Sequence, residues 1–295
     1  MAFDLTALST YTDELSLDLI AKAVLTTDLM NDIDVRSGLQ AGTVAINLMD
    51  GDLNVADLAC GWNPSGDVNF SQVDISIADK QVKMELCPED LRQYWLSQRM
   101  SAGTANDSVP FEETIAGYYV ERVRKYNEGF LINGDGTING IKAQITAANG
   151  ANVPAAPAAW TVSNAIDQAL DLFDSIDESV KDREDLIMIV SPANFQTLRR
   201  ALVAQNYYHY DQGDGRTLDL IGTNCKVVKS SGLVGSDYVA AGPAGFIVAG
   251  TGLESDFETM KFFYDEGEDV VKFRAAWRLG VAVHQVNLFA TNGLA

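Results

Sequence analysis

Asp135, Thr137, Asn139 and Gly140 occupy the first, third, fifth and sixth positions of a loop that could hold calcium, directly after a helical pattern. An EF-hand loop surrounds the cation with oxygen ligands and closes it with a bidentate glutamate at the twelfth position. That position is Thr146 here. Without the closing carboxylate the run reads as a tight turn, and no metal site is assigned. The histidines are His209, in a tyrosine-rich loop pattern, and His284, in a strand pattern. Neither has a nucleophile signature near it, so neither is assigned as a general base. The acid pairs Asp256/Glu258 and Glu266/Glu268 sit in turn-like, charge-dense stretches, and solvation explains them better than glycosidase chemistry. Cys60, Cys87 and Cys225 are too few and too far apart for a disulfide framework or a zinc ligand set, which fits synthesis in a reducing compartment. The sequence holds no GxxxxGK[ST], GxSxG or HExxH, and no GxGxxG following a strand. No catalytic, cofactor-binding or metal residue is assigned, no cofactor is implied, and the chain is not expected to be an enzyme.

The elements that would position these residues are more informative than the residues themselves. In FEETIAGYYVERVRKYNEGFLINGDGTING, running from Phe111 to Gly140, apolar or aromatic residues recur at Phe111, Ile115, Tyr119, Val123, Tyr126 and Phe130. That spacing is one face of a helix. Pro110 suits its start, Glu112 and Glu113 suit its positive first turn, and Gly134 suits a left-handed cap. Before it, residues 1–60 are acidic and loosely patterned, with a helix plausible over Asp13–Met30 and the remainder reading as an arm that needs another surface to order it. From Gly61 to Leu86 the period becomes two: Val73, Ile75 and Ile77, then Val82, Met84 and Leu86, separated by Ala78-Asp79-Lys80. This predicts a hairpin-like strand pair with its turn at those three residues. Pro88-Glu89-Asp90 opens a further helical pattern through Leu96.

After Gly140 an Ala/Pro linker, ANGANVPAAPAAW, precedes a helix over Ser163–Asp177, a buried strand at Leu186–Ser191 and a helix from Pro192. Strands are expected near Leu218–Ile221, Lys226–Lys229, Tyr238–Ala241 and Phe246–Ala249. The last part predicts strands at Phe257–Tyr264 and Val270–Val286 around a charged turn. The second is longer than ordinary strands and is expected to bend or change sheets near Gly280.

The 295 residues suffice for one large core or two smaller ones. Acidic side chains number 41 against 21 basic ones, a net charge of −20. Sequence-specific or nonspecific DNA binding driven by counterion release needs the opposite sign. A strongly acidic surface promotes solubility, and it also suits a surface that must lie near nucleic acid without sticking to it. No apolar run is long enough to span a bilayer, and MAFDLTALST shows no basic-then-apolar secretory pattern.

The segment YNEGFLINGDGTINGI resembles the place in tailed-phage major capsid proteins where a long helix ends in a GDGT…GI turn. The order of features around it strengthens the resemblance and extends it over nearly the whole chain. These features are the acidic arm, the extended loop, the PEDL helix start, the strand–Ser-Pro–helix of IVSPANFQTLRR and the closing run RAAWRLGVAVHQVNLF. The family's fold is shared with encapsulin nanocompartments. The resemblance implies an α+β chain with an N-arm (1–60), an E-loop (61–86) and a peripheral domain with its spine helix (87–140). An α/β axial domain (141–250) follows, and a return to the peripheral sheet ends the chain (251–295). It implies a structural protein of the virion, assembled in the host cytoplasm. Hexamers and pentamers of the chain would build an icosahedral shell around double-stranded DNA, with separate scaffolding, portal and decoration proteins as partners and no membrane. The alternative is an encapsulin-type shell around protein cargo. Some family members cross-link an E-loop lysine to a neighbour's asparagine. Residues 61–79 contain no lysine, and Lys80 and Lys83 fall within the strand pair, so cross-linking is not expected. A scaffold fused ahead of the arm is not expected either.

Overall fold

The computed structural model describes residues 28–53, 66–86, 111–207, 215–252, 261–265, 267–268 and 270–294. The readings made for the Asp13 helix, Cys60, Cys87, the Pro88 helix, His209, Asp256/Glu258 and Glu266 lie outside them. Two sheets and four α-helices account for the architecture of the described residues. The strands are β1 (Asp34–Arg36), β2 (Gly42–Leu53), β3 (Gly66–Leu86), β4 (Leu186–Val190), β5 (Thr217–Asp219) and β6 (Lys226–Lys229). They continue with β7 (Ala240–Pro243), β8 (Ile247–Thr251), β9 (Lys261–Asp265), β10 (Val270–Val283) and β11 (Ala290–Thr291). The helices are α1 (Phe111–Asn133), α2 (Ile141–Gln144), α3 (Ala165–Asp174) and α4 (Pro192–Ala204).

The first sheet has the order β1-β8-β10-β3-β2, with β9 also paired to β10. β10 is its central strand because its sequence alternates without interruption. Phe273, Ala275, Trp277, Leu279, Val281 and Val283 are all buried in one core, while Lys272, Arg274 and Arg278 lie on the other face. α1 covers the buried face: Tyr119 stacks on Phe273 at 4.9 Å, and Tyr126 meets Trp277 edge-on at 6.3 Å. The expected change of sheet near Gly280 does not occur. β10 stays in one sheet and exchanges a neighbour instead, pairing with β9 up to Arg274 and with β8 from Leu279. Gly280 itself is needed for close approach, since a Cβ there would lie 2.3 Å from the Ser76 carbonyl oxygen.

The turn expected at Ala78-Asp79-Lys80 is also corrected. All three residues lie inside β3, opposite Leu279, Arg278 and Trp277. What changes at this point is the buried face of the strand. Ile75 and Ile77 pack with Ile46, Val248 and Ala282 on one side of the sheet, whereas Ala78 and Val82 pack beneath α1 on the other. A one-residue change in apolar parity looks like a turn in sequence, yet here the core changes sides and the strand continues. The hairpin partner of β3 is β2, in register from Gly42↔Ile77 to Leu53↔Gly66. Residues 28–53 are therefore ordered by this chain's own sheet, with Leu29, Met30 and Ile33 buried in the main core, and do not wait for another surface.

The second sheet has the order β11-β7-β4-β6-β5. Every residue of β4 is buried because both faces are covered. Ile187 and Ile189 face the core shared with α1 and β10, and Leu186, Met188 and Val190 face α3 and α4. Ser191 caps α4 by accepting from the Asn194 N–H at 3.2 Å, with Pro192 in the first turn, as the sequence predicts. Because β4 contributes to both cores, the two sheets form one packed body. β8, expected in the second lobe, is in the first sheet, and β11 near the C-terminus is in the second.

α1 stops where the sequence predicts. Gly134 has φ +73° and its N–H donates to Phe130 O at 2.8 Å. A Cβ on Gly134 would lie 2.0 Å from Ile138 O, whereas nothing lies within 4 Å of one on Gly136, at φ +85°. Gly134→Ala is therefore expected to cost several kcal/mol, and Gly136→Ala only about 1 kcal/mol, for backbone strain alone. Urea denaturation of the two variants checks this, and equal costs would contradict the packing described.

Candidate functional site

The residues considered for chemistry that lie among the described ones are engaged structurally. Asp135 closes its own turn: Oδ1 accepts from the N–H groups of Thr137 (3.0 Å) and Ile138 (2.9 Å), and Oδ2 pairs with Lys80. The Lys80 contact and the turn's N–H donors lower its pKa from 3.8 to about 2. A carboxylate satisfied in this way has no free oxygen array to offer a cation. Among the described residues no group of three or more histidine, cysteine, aspartate or glutamate side chains could hold a metal. Lys80 also lies over the Phe130 ring at 4.7 Å, so this lysine holds the helix end to the sheet.

His284 follows β10 with its ring 4.6 Å from that of Phe246, and its N–H donates to Phe246 O at 3.0 Å. Burial lowers its pKa, and Nδ1 has no hydrogen-bond partner. It is buried, and among the described residues no hydroxyl or thiol hydrogen-bonds to it. Burial pushes the Cys225 thiol up to about 12, which removes the reactive thiolate. Glu268 pairs with Lys272, which also contacts Asp265 at 2.7 Å. An apolar recess lined by Ile145, Ile187, Ala240, Phe289 and their neighbours is too tight to admit a water molecule. Ligand pockets are larger and carry convergent polar groups, and this one does not.

Glu128 was not singled out by the sequence, and it is the most consequential polar residue of α1. It is 3% exposed. Oε1 accepts from the Ser230 hydroxyl (2.8 Å) and the Ser231 N–H (2.7 Å), and Oε2 accepts from the Ser231 hydroxyl (2.7 Å). Beside it, the Trp277 indole N–H donates to Asn127 Oδ1 at 2.9 Å. Adjacent positions on one helix thus tie α1 to the turn after β6 and to β10. Glycine at 232 permits this, because a Cβ there would lie 2.7 Å from Glu128 O. The sequence offered a faint signal: Asn127 and Glu128 stand beside the apolar run Phe130–Ile132 near the end of the helix.

The feature suited to function is a surface. β3 pairs with β10 only from Ile77 onward, so among the described residues Gly66–Ser76 have β2 as their sole hydrogen-bonded neighbour. Ile46 and Ile75 anchor the base of this ribbon, and Phe70, further out, is 76% exposed. The sequence signal for β2 was the alternation Val44, Ile46, Leu48 after Gly42, within a stretch read as an arm.

No family model matches the sequence. No curated protein matches it either. Solved structures do. The chain is similar to the capsid of the empty GTA particle, with 14% identity, 90% of this chain and 89% of that one covered, and a TM-score of 0.57. It is similar to the procapsid of satellite phage P4, with 11% identity, 93% and 89% covered, and a TM-score of 0.57. The chain has the tailed-phage capsid fold. A virus-like particle from Pyrococcus furiosus shares it, with 11% identity, 95% and 98% covered, and a TM-score of 0.53. The fold expected from YNEGFLINGDGTINGI and its surroundings is therefore the one observed.

Two outcomes follow from the capsid fold's internal ties. Glu128→Ala leaves buried hydroxyl and amide donors without an acceptor and is expected to cost about 3 kcal/mol. Glu121→Ala, at a 72% exposed side chain on the same helix, is expected to cost under about 0.5 kcal/mol. Chemical denaturation compares them. Asp135 has its folded pKa below the ordinary value, so its contribution is present above 3.8 and is lost as pH falls through about 2. The melting-temperature difference between wild type and Asp135→Asn should shrink across that window and be constant above it.

Proposed function

We propose that this chain is the major subunit of an icosahedral virion shell, assembling through hexamers and pentamers around double-stranded DNA. The observation that carries the reading is the β2–β3 ribbon. A two-stranded ribbon running beyond its third strand is marginal alone in water and leaves strand edges unpaired. Docked on neighbouring copies, it gains the third layer it lacks. In this reading Gly42–Ser76 takes the E-loop's part and α1 that of the spine. The six-stranded sheet is the peripheral domain, and the second sheet with α3 and α4 is the axial domain. Residues ahead of β1 form the arm. Scaffolding, portal and decoration proteins would be separate chains, and assembly would occur in the host cytoplasm. The net charge of −20 favours a wall along which packed DNA can slide. The subunit's role is structural, which agrees with side chains engaged in packing and in hydrogen bonds across elements.

A second reading is an encapsulin-type shell around protein cargo. It is favoured by the likeness to the Pyrococcus furiosus virus-like particle, which spans 98% of that chain. Electron microscopy of particles formed on expression tests both readings. Closed shells of many copies are expected, with packed DNA in native particles for the first reading and enclosed protein for the second. A chain that stays monomeric at every salt and protein concentration contradicts both.

A further inference from the structure

Two surfaces of opposite charge are built into the first sheet where they cannot meet within one chain. The ribbon and its connecting residues hold no lysine, arginine or histidine from Ser37 to Asp79. They hold the acids Asp50, Asp52, Asp57, Asp67 and Asp74. Near the ribbon's end Asp52 stands directly opposite Asp67 in the strand register. The other end of β3 carries cations, with Glu85 exposed two residues beyond Lys83 on the same face. Lys261, Arg274 and Lys83 stand in one register row across β9, β10 and β3. Lys83 and Arg274 are exposed on the face turned away from α1. Their basic neighbours are neutralised within the chain, Lys272 by Asp265 and Glu268 and Arg278 by Asp79 at 2.8 Å. Among the described residues neither Lys83 nor Arg274 has an ion-pair partner. Like charges directly opposite on adjacent strands are unfavourable, and the sheet contains such a pairing at both places.

Asp67 and Lys83 lie on the same strand, sixteen residues apart. At the rise of an extended strand that separation is about 50 Å. A continuous ladder to β2 and then β10 keeps the strand from folding back on itself. We propose that the acidic ribbon end of one copy, through Asp52 and Asp67, clasps the Lys83–Arg274 row of a second copy. The inference rests on the shell reading and names the residues that make its contact. The contact is head to tail: each copy offers its ribbon to one neighbour and its basic row to another, as ring closure requires. The two like-charge pairings oppose the isolated chain and are relieved together when the copies meet. The contact steers and sets the register of assembly, and salt weakens it.

Charge reversal tests the pairing. Variant one carries Lys83→Glu and Arg274→Glu, and variant two carries Asp52→Lys and Asp67→Lys. Circular dichroism verifies folding, and sedimentation measures the assembled fraction. Each variant alone is expected to assemble at least about tenfold less than wild type at low salt, because like charges then face each other. The chain carrying all four changes should recover assembly, since acid again meets base at every junction, and an equimolar mixture of the two should recover it in rings of six, where the variants can alternate. Assembly of either variant at the wild-type level, or failure of both the mixture and the fourfold variant to recover, overturns the clasp while wild-type shells leave the shell reading standing. A wild-type chain that never assembles overturns the shell reading itself.

Discussion

The ladder between β3 and β10, from Val271↔Leu86 to Gly280↔Ile77, is the constraint on which the other contacts rest. It fixes the surface that α1 covers, because Phe273, Trp277, Lys80 and Val82 all present to the helix from these two strands. It fixes the point at which β3 loses its second neighbour, and so defines where the ribbon begins. It also brings Lys83 beside Arg274. Glycine at 280 is part of the same constraint, since the backbone of β3 passes where a side chain would stand.

The polar ties at the end of α1 have a different logic. Glu128 and Asn127 are buried among apolar neighbours, a costly arrangement unless each group finds partners. Glu128 finds them on Ser230 and Ser231, and Asn127 finds one for Oδ1 on Trp277, while its Nδ2 has none among the described residues. Unlike apolar packing, these directional contacts allow only one rotation of the helix about its axis. Apolar packing supplies the greater share of cohesion, and the hydrogen bonds select among the ways it could be arranged.

Much of this was legible in the sequence, for identifiable reasons. α1, β4, β6, α4 and β10 were legible because each has a period or a cap that local physics enforces: the four-residue spacing to Phe130, the apolar run of β4, Ser191-Pro192, the alternation through Val283. The β2–β3 hairpin was misplaced because the parity change at Ile77–Ala78 mimics a turn, and only the location of the two cores distinguishes them. The run Asp135–Gly140 forms a turn, as its glycines predict, but the partner that holds it, Lys80, lies 55 residues away. Glu128 was invisible for the same reason: its acceptor role is defined by serines 102 and 103 residues later. Local rules identify elements, and long-range polar pairing is seen only once the elements are packed.

The separation spanned by the β3–β10 ladder carries a temporal consequence. Asp79 and Arg278 are 199 residues apart in the chain and adjacent in the sheet. During synthesis β3 emerges long before its central neighbour exists, and its edge stays open until the second lobe has been made. Such non-local pairing is slow and exposes strand edges along the way. The basic row at Lys83 and Arg274 exists as a surface only when that final pairing is complete. Under the clasp proposed above, a nascent chain can extend its ribbon toward others but offers nothing for theirs to grip, and recognition between copies is deferred to finished subunits by the order of the strands.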